Sequence, residues 1–351
     1  MIRIAAWALL GALLTLPAMA QVEIKGLTVA PPDRPGSGGI MLKSLLSTRM
    51  PGEIVGLRLH AGRVLARLDN GQSYRLTLRE GELAREPVLA PDHGPPSADS
   101  LPDTEVTSLG DIEAAWLIGP TDRLRHGALG DAIEATGFRL RWQSGAIEDF
   151  RLEAPDVFED RRVRLADIDG DGKPEALLVR SSPETGAALA IYRLELGRIA
   201  LLAQSPPLGQ ANRWLNPVGV ADLEGDGEAE IALVQRPHLD GRLTVLRLEG
   251  GVLREIAATA GYSNHRLGRR FLGLSALIDV TRAGRPQIVV AGIADDCLHV
   301  LTLEAGGLRK IGNLSCGASF VGDFIVADID GDGREDLIVA REKGRIEIFL
   351  R

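Results

Sequence analysis

"LADIDGDGKPEALLV", Leu165 to Val179, places three aspartates in alternation between two short apolar runs, and "VADIDGDGREDLIVA", Val326 to Ala340, does so again. Carboxylates crowded into one short turn repel each other, so the pattern asks for a counter-ion. Two further copies align with these: "VADLEGDGEAEIALV" from Val220 and "LIDVTRAGRPQIVVA" from Leu277. Their first aspartates, Asp167, Asp222, Asp279 and Asp328, recur with a period of roughly 50 residues, which marks a repeat architecture. The third copy keeps Asp279 but carries Thr281 and Ala283 where the others carry acids. It reads as a repeat that has kept its strands and lost its site.

Two more strand-like runs follow each copy. After Asp222 come "IALVQ" and "RLTVLRLEGGVLREIA", a hairpin expected to turn at Gly250-Gly251. After Asp279 come "QIVVAGI" and "CLHVLTLEAGGLRKIGNL", expected to turn at Gly306-Gly307. Paired glycines between alternating runs supply the positive φ that tight hairpins need. Each repeat thus gives four strands, and no helical period occurs after the first twenty residues. Four-stranded sheets repeated radially make a β-propeller. The expected fold is all-β, with six blades and seven as the alternative. Residues 161–351 hold the recognisable repeats and 21–160 hold degenerate ones, with a turn at Asn70-Gly71 and a Pro-rich connection at Pro91–Asp103. The final repeat stops after "GRIEIFLR" with only three strands. A strand from the other end of the chain must complete it, and "VEIKGLTV", Val22 to Val29, is the candidate.

The first twenty residues stand apart: one charge, Arg3, then an apolar run and Ala18-Met19-Ala20. This is the pattern of a secretory leader, which makes 21–351 a single exported domain, periplasmic or secreted. No later apolar run reaches the ~18 residues a spanning helix needs, so no membrane insertion is expected. The formal charge is −8 over 351 residues, and loss of Arg3 makes it one unit more negative. That balance argues against nucleic acid as partner, and a monomer is expected. Two cysteines, Cys297 and Cys316, do not make a disulfide scaffold. They face each other across the second hairpin if no bulge intervenes, as a cross-strand disulfide or as two buried thiols.

The repeated turn reads D-x-D-G-D-G-x-x-E. Acids at positions 1, 3, 5 and 9 converge, and glycines at 4 and 6 let the backbone turn. Hard oxygen donors in this number suit Ca²⁺, which takes six to eight oxygens at about 2.3–2.6 Å. One site is Asp167, Asp169, Asp171 and Glu175 with the Lys173 carbonyl. A second is Asp222, Glu224, Asp226 and Glu230 with the Glu228 carbonyl. The third is Asp328, Asp330, Asp332 and Asp336 with the Arg334 carbonyl. An EF-hand is excluded, because its twelfth position must be a bidentate Glu between helices. Here that position is Leu178, Leu233 or Val339, inside an apolar strand.

These turns resemble those of the FG-GAP or VCBS-repeat β-propellers, a family similar to the integrin α-chain head. The match covers Leu165 to Arg351, and "SFVGDF", Ser319 to Phe324, is the nearest echo of the Phe-Gly signature. The resemblance implies that each acidic turn joins the first two strands of a blade and binds Ca²⁺.

The connections "QANRWLNP" (210–217) and "GYSNHRLGRRF" (261–271) precede first strands, so they belong on the face opposite the acidic turns. With "TDRLRHGALGD" (121–131) they gather Arg213, Trp214, His265, Arg266, Arg269, Arg270, Arg125 and His126, either as a cationic rim for an anionic ligand or acidic protein patch, or as arginines that hold blades together through carboxylates. No G-x-S-x-G or H-E-x-x-H occurs, and no catalytic residue is assigned. The chain reads as a non-enzymatic binding or scaffold module with structural Ca²⁺ at three sites. The competing reading is a propeller hydrolase or lyase acting on a phosphorylated or polyanionic substrate, which a charged cluster near the axis would favour.

Overall fold

Runs such as "IVVAG" (288–292) and "ALLV" (176–179) hold no polar side chain, so both faces of their sheets need covering. A computed structural model describes residues 40–60, 62–89, 96–294 and 296–351, within the compact unit Gly38–Arg351. Every regular element among them is a β-strand. The expected leader, 1–20, and the expected closing strand, Val22–Val29, lie outside the described residues.

The strands form six blades among the described residues. Blade 1 is Ile54–His60, Arg63–Leu68, Ser73–Arg79 and Glu82–Val88. Blade 2 is Thr107–Leu109, Ile112–Thr121, Glu134–Trp142 and Ile147–Arg151. Blade 3 is Arg164–Ala166, Glu175–Ser182, Gly186–Glu195 and Arg198–Gln204, joined to blade 2 through the short strand Val157–Phe158. Blade 4 is Leu215–Ala221, Glu230–Gln235, Arg242–Glu249 and Val252–Thr259. Blade 5 is Ser275–Ile278, Gln287–Gly292, Cys297–Glu304 and Gly307–Cys316. Blade 6 is Phe320–Ala327, Asp336–Arg341 and Arg345–Leu350, and its fourth strand comes from the start of the described chain. That strand is Lys43–Arg49, antiparallel to Arg345–Leu350 with Lys43 opposite Leu350. Closure across the ring is therefore as expected, but a later segment than Val22–Val29 provides it.

Alternate side chains of one strand serve two interfaces. In blade 5, Ile288 and Val290 pack with blade 4 residues such as Val234 and Val245. Their neighbours Val289 and Ala291 pack with Phe320, Leu337 and Phe349 of blade 6. Joint apolar clusters of this kind link blades 2–3, 3–4, 4–5, 5–6 and 6–1. Between blades 1 and 2 the described residues form no joint cluster. The blade 1-facing side chains of blade 2, Ala114, Trp116 and Ile118, make a cluster of their own. Segment 97–101 lines up beside them, with Trp116 Nε1 donating to Ser97 Oγ at 3.1 Å.

The hairpin after Asp222 turns at Gly250-Gly251, with φ of 58° and 80°. The hairpin after Asp279 turns one residue earlier than expected, at Ala305-Gly306, since Glu304 lies opposite Gly307. Two bulges in its strands then shift the register, so that Cys297 still faces Cys316. The two cysteines form a disulfide, with Cα atoms 4.0 Å apart.

Candidate functional site

Each acidic turn joins the first and second strands of its blade, so all lie on one face of the ring. In blade 3 the Asp167 carboxylate accepts from the amides of Gly170 (2.9 Å) and Gly172 (3.0 Å). Asp222 does the same for Gly225 (2.6 Å) and Gly227 (2.9 Å), and Asp328 for Gly331 (2.7 Å) and Gly333 (2.9 Å). Gly170 and Gly172, with φ of 77° and 84°, hold left-handed conformations that a side chain would resist. The ninth residue closes the turn from below. Glu175, Glu230 and Asp336 accept from the amides of Ile168 (2.9 Å), Leu223 (2.7 Å) and Ile329 (3.1 Å). All three of these acids are buried.

Three carboxylates converge in each turn, with oxygens within 4.8 Å of one another: Asp167, Asp169 and Glu175; Glu224, Asp226 and Glu230; Asp328, Asp330 and Asp332. Asp171, Asp222 and Asp336 stand outside these trios. At the seventh position the Lys173, Glu228 and Arg334 amides donate to Asp171, Asp226 and Asp332 at 2.8, 3.0 and 2.8 Å.

The turns differ in the cation their own sheet supplies. In blade 4, Glu230 lies opposite Arg247, whose guanidinium bonds Glu230 and reaches Glu224 (2.9 Å), Asp226 (3.1 Å) and Glu228 (3.6 Å). The Glu230 hydrogen bond above all holds Arg247 protonated beyond the usual arginine range. In blade 3, Arg193 bonds Asp169 alone within the turn. In blade 6 the Arg334 guanidinium lies 3.6 Å from Asp332 and is mostly exposed. Burial pushes the carboxyl groups of Glu175 and Asp336 up. Their backbone hydrogen bonds oppose the shift, while Asp169 and Asp171, or Asp330 and Asp332, add to it.

The opposite face carries the second-to-third-strand loops and the connections between blades. Several of the expected rim arginines are paired there: Arg125 with Asp122, Arg266 with Asp296 (2.8 Å), and Arg270 with Asp103 and Asp131 (2.8 Å to the latter). Arg269 is exposed. The blade 2 loop and the connection into blade 5 meet directly: the Gly268 amide donates to Ala128 O (2.9 Å), and Arg270 Nη1 donates to Leu129 O (2.8 Å). Blades 2 and 5 are opposite in a ring of six, so these segments cross the axis.

His126, Trp214 and His265 do come together, with His238, which sequence reasoning missed. His126 Nδ1 lies 2.5 Å from Glu159 Oε1, and Ser181 Oγ donates to Glu159 Oε2 at 2.7 Å. Trp214 Nε1 donates to the Glu159 carbonyl (3.1 Å), and its ring stacks on His238. His238 Nε2 and His265 Nδ1 are 2.8 Å apart. Burial pushes His238 down to about 4 and His265 to about 3, so both are neutral at physiological pH.

A second group missed in the sequence lies where the inner strands line the axis. Glu105 and Arg162 pair across blades 2 and 3 (3.0 Å), and Arg164 pairs with Asp160 (2.5 Å). Asp323 of blade 6 accepts from the Gly273 amide (2.6 Å). Burial raises the Asp323 carboxyl, and Arg162 opposes that rise. The signal was present as "EDRRVRLAD", a charged run leading straight into the first acidic turn.

No protein-family model matches the chain, and no curated protein matches it. Among solved structures, a candidate 6-phosphogluconolactonase from Bacteroides fragilis NCTC 9343 aligns with a TM-score of 0.45 and 14% identity, over 85% of this chain and 80% of that one.

Proposed function

We propose that the chain is an exported, calcium-stabilised β-propeller of the FG-GAP/VCBS kind, acting as a non-enzymatic binding or scaffold module. Its acidic turns hold structural Ca²⁺, and the face across the ring meets an anionic ligand or an acidic protein patch. The observation that carries this reading is the convergence of three carboxylates in equivalent turns of three blades, one acid of each turn being buried. A hard divalent cation relieves that repulsion and completes the shell with Asp171, Asp222, Asp336 and the seventh-position carbonyls.

The turns fit the ion unequally. Among the described residues blade 6 has no guanidinium of its own sheet inside the turn, blade 3 has one on a single acid, and blade 4 has Arg247 across four. Affinity should therefore fall in the order blade 6, blade 3, blade 4. The hydrolase or lyase reading draws less support. Arg162 and Arg164 are each already paired with a carboxylate, and the axis is crossed by the blade 2 and blade 5 segments on that side.

The deciding experiment is a melt of the purified chain in Ca²⁺ against chelator, with bound metal counted. Each site held at one hundred times its dissociation constant stabilises by ~2.7 kcal/mol, so a rise in melting temperature graded with Ca²⁺ is expected. Identical melting in both, with no metal retained, overturns the reading.

A further inference from the structure

We propose that the cavity on the acidic-turn face, bordered by the degenerate turn of blade 5, binds a short apolar peptide with both ends free, its carboxylate on Arg285 and its ammonium on Glu335. The inference goes beyond the proposed function and needs neither its calcium nor its opposite face.

The cavity has a volume of about 330 Å³. Its floor lies where two first strands end: Val220 and Ala221 in blade 4, Leu277 and Ile278 in blade 5, with Pro286 beside them. Gly219 lets these two strands close up, since a Cβ there would stand 3.0 Å from Leu277 Cδ1. The blade 5 turn supplies Asp279, Gly284 and Arg285 as one wall, and blade 6 adds Glu335 and Arg351. An apolar floor with a few polar groups around it, at this size, is the ordinary make-up of a small-ligand site.

The charges around the cavity are not equally available. Asp279 is spent, because its carboxylate accepts from the amides of Ala283 and Gly284 and from Arg351 Nη2 at 2.6 Å. The same bond occupies Arg351, whose amide is held by Asp336 Oδ1 at 3.1 Å. Arg285 instead reaches toward blade 4, where Nη1 donates to the Leu223 carbonyl, and it also bonds Leu303 O of its own blade at 2.7 Å. Carbonyls position a guanidinium without cancelling its charge. Among the described residues Arg285 pairs with no carboxylate, and its Nε and Nη2 make no hydrogen bond. Glu304, on which its charge acts, is already bonded by Arg309. Glu335 is exposed, and no cation pairs with it among the described residues.

The lining side chains with unspent charge are therefore a cation on the blade 4 side and an anion on the blade 6 side, with blade 5 and the apolar floor between them. That polarity selects a ligand apolar in the middle and oppositely charged at its ends. A simple anion would meet Glu335, and a simple cation would meet Arg285. In a free amino acid both charges sit on one carbon, whereas a short peptide parts them along its length, as the cavity parts Arg285 and Glu335.

The test titrates leucyl-leucine into the purified chain in chelator, following the methyl resonances of Val220, Leu277 and Ile278. Saturable shifts are expected. Amidating the carboxylate should weaken binding about tenfold or more, as for loss of one charge-assisted hydrogen bond. Acetylating the amine should weaken it about twofold to fivefold, as for an exposed ion pair. Arg285→Ala, checked by melting, should weaken the free peptide as much as amidation does and leave the affinity of the amidated peptide unchanged. Should that variant fail to fold, the amidated peptide on the wild type reads the same contact. Diglycine, which has both ends but no apolar body, should not bind. Absence of a saturable shift overturns the proposal, as does an amidated peptide that binds like the free one. Tighter binding of the acetylated peptide overturns the zwitterion, and diglycine binding like leucyl-leucine overturns the role of the floor. A calcium-dependent melt without peptide binding sinks this site alone. Peptide binding with a chelator-insensitive melt leaves it standing and sinks the calcium reading.

Discussion

Blade 5 turns like blades 3, 4 and 6 without their acids. Asp279 still accepts from the amides of Ala283 (3.0 Å) and Gly284 (2.9 Å), as Asp167 does from Gly170 and Gly172. Gln287 replaces the buried ninth acid and accepts from the Val280 amide at 2.9 Å, as Glu175 does from Ile168. At positions 3 and 5, Thr281 and Ala283 offer no charge, and Arg351 supplies a fixed cation 2.6 Å from Asp279. The comparison divides the motif. Positions 1 and 9 build the turn in blades 3, 4, 5 and 6 alike, whereas 3 and 5 are spare unless an ion is to be held. It also explains why Asp279 is kept in a turn that has lost its other acids.

The largest test of that division concerns blade 4, where an arginine already does what Arg351 does in blade 5. Glu230 is fully buried and bonded by Arg247. Arg247→Ala leaves that carboxylate without its partner, a change that costs roughly 3–5 kcal/mol for buried pairs. The loss should be full in chelator and largely reversed by Ca²⁺ occupying the vacated turn, read as two melting curves of one variant. Equal losses in both conditions would mean that no cation can take the arginine's place.

Asp167→Ala comes next. If position 1 builds the turn, removing it hands two exposed amides to water and costs about 0.5–1.5 kcal/mol even in chelator. Urea denaturation in chelator measures it. An effect confined to Ca²⁺-containing buffer would reassign Asp167 to the ion and undo the division.

The repeat was legible because its period, its glycines and its doubly apolar strands are all local features. The closing strand was not. "VEIKGLTV" sets apolar residues between charged and polar ones, Val22 and Ile24 before Gly26 and Leu27 and Val29 after it, whereas Lys43–Arg49 carries a bulge between Leu45 and Ser47 that breaks the two-residue period. The bulged register of the Cys297 hairpin was hidden for the same reason, although the cysteines themselves met. Side chains brought into the turns from another strand were invisible too. Arg247 reads as an outward residue of "RLTVLRLE" until the register sets it opposite Glu230. Nothing in the sequence around Arg162 and Arg164 says what they face, since only ring closure turns a first strand toward Asp323 and Glu105. Of the cationic rim, proximity in sequence could suggest membership but not pairing. Arg213 bonds Gln210 of its own connection, whereas Arg266 finds Asp296 in the loop between the second and third strands of blade 5.

The smallest expected effect is the sharpest. Glu175→Gln installs in blade 3 the residue blade 5 already uses, and it preserves the acceptor for the Ile168 amide. In chelator its stability should match or exceed that of wild type, because the swap keeps the hydrogen bond and removes a buried charge. The pH dependence gives the sign. Burial, with Asp169 and Asp171, raises Glu175 above its ordinary 4.5, so the unfolded chain releases this proton before the folded one does. Metal-free wild type therefore loses stability as pH rises from that ordinary value through the raised one, and Glu175→Gln should lose less over the same window. With Ca²⁺ the ranking reverses, because the variant forfeits one site's stabilisation and one equivalent of bound metal. A variant that unfolds in chelator would show that the buried charge itself, and not merely its acceptor oxygen, holds the turn, and blade 5 would then owe its stability to Arg351 alone.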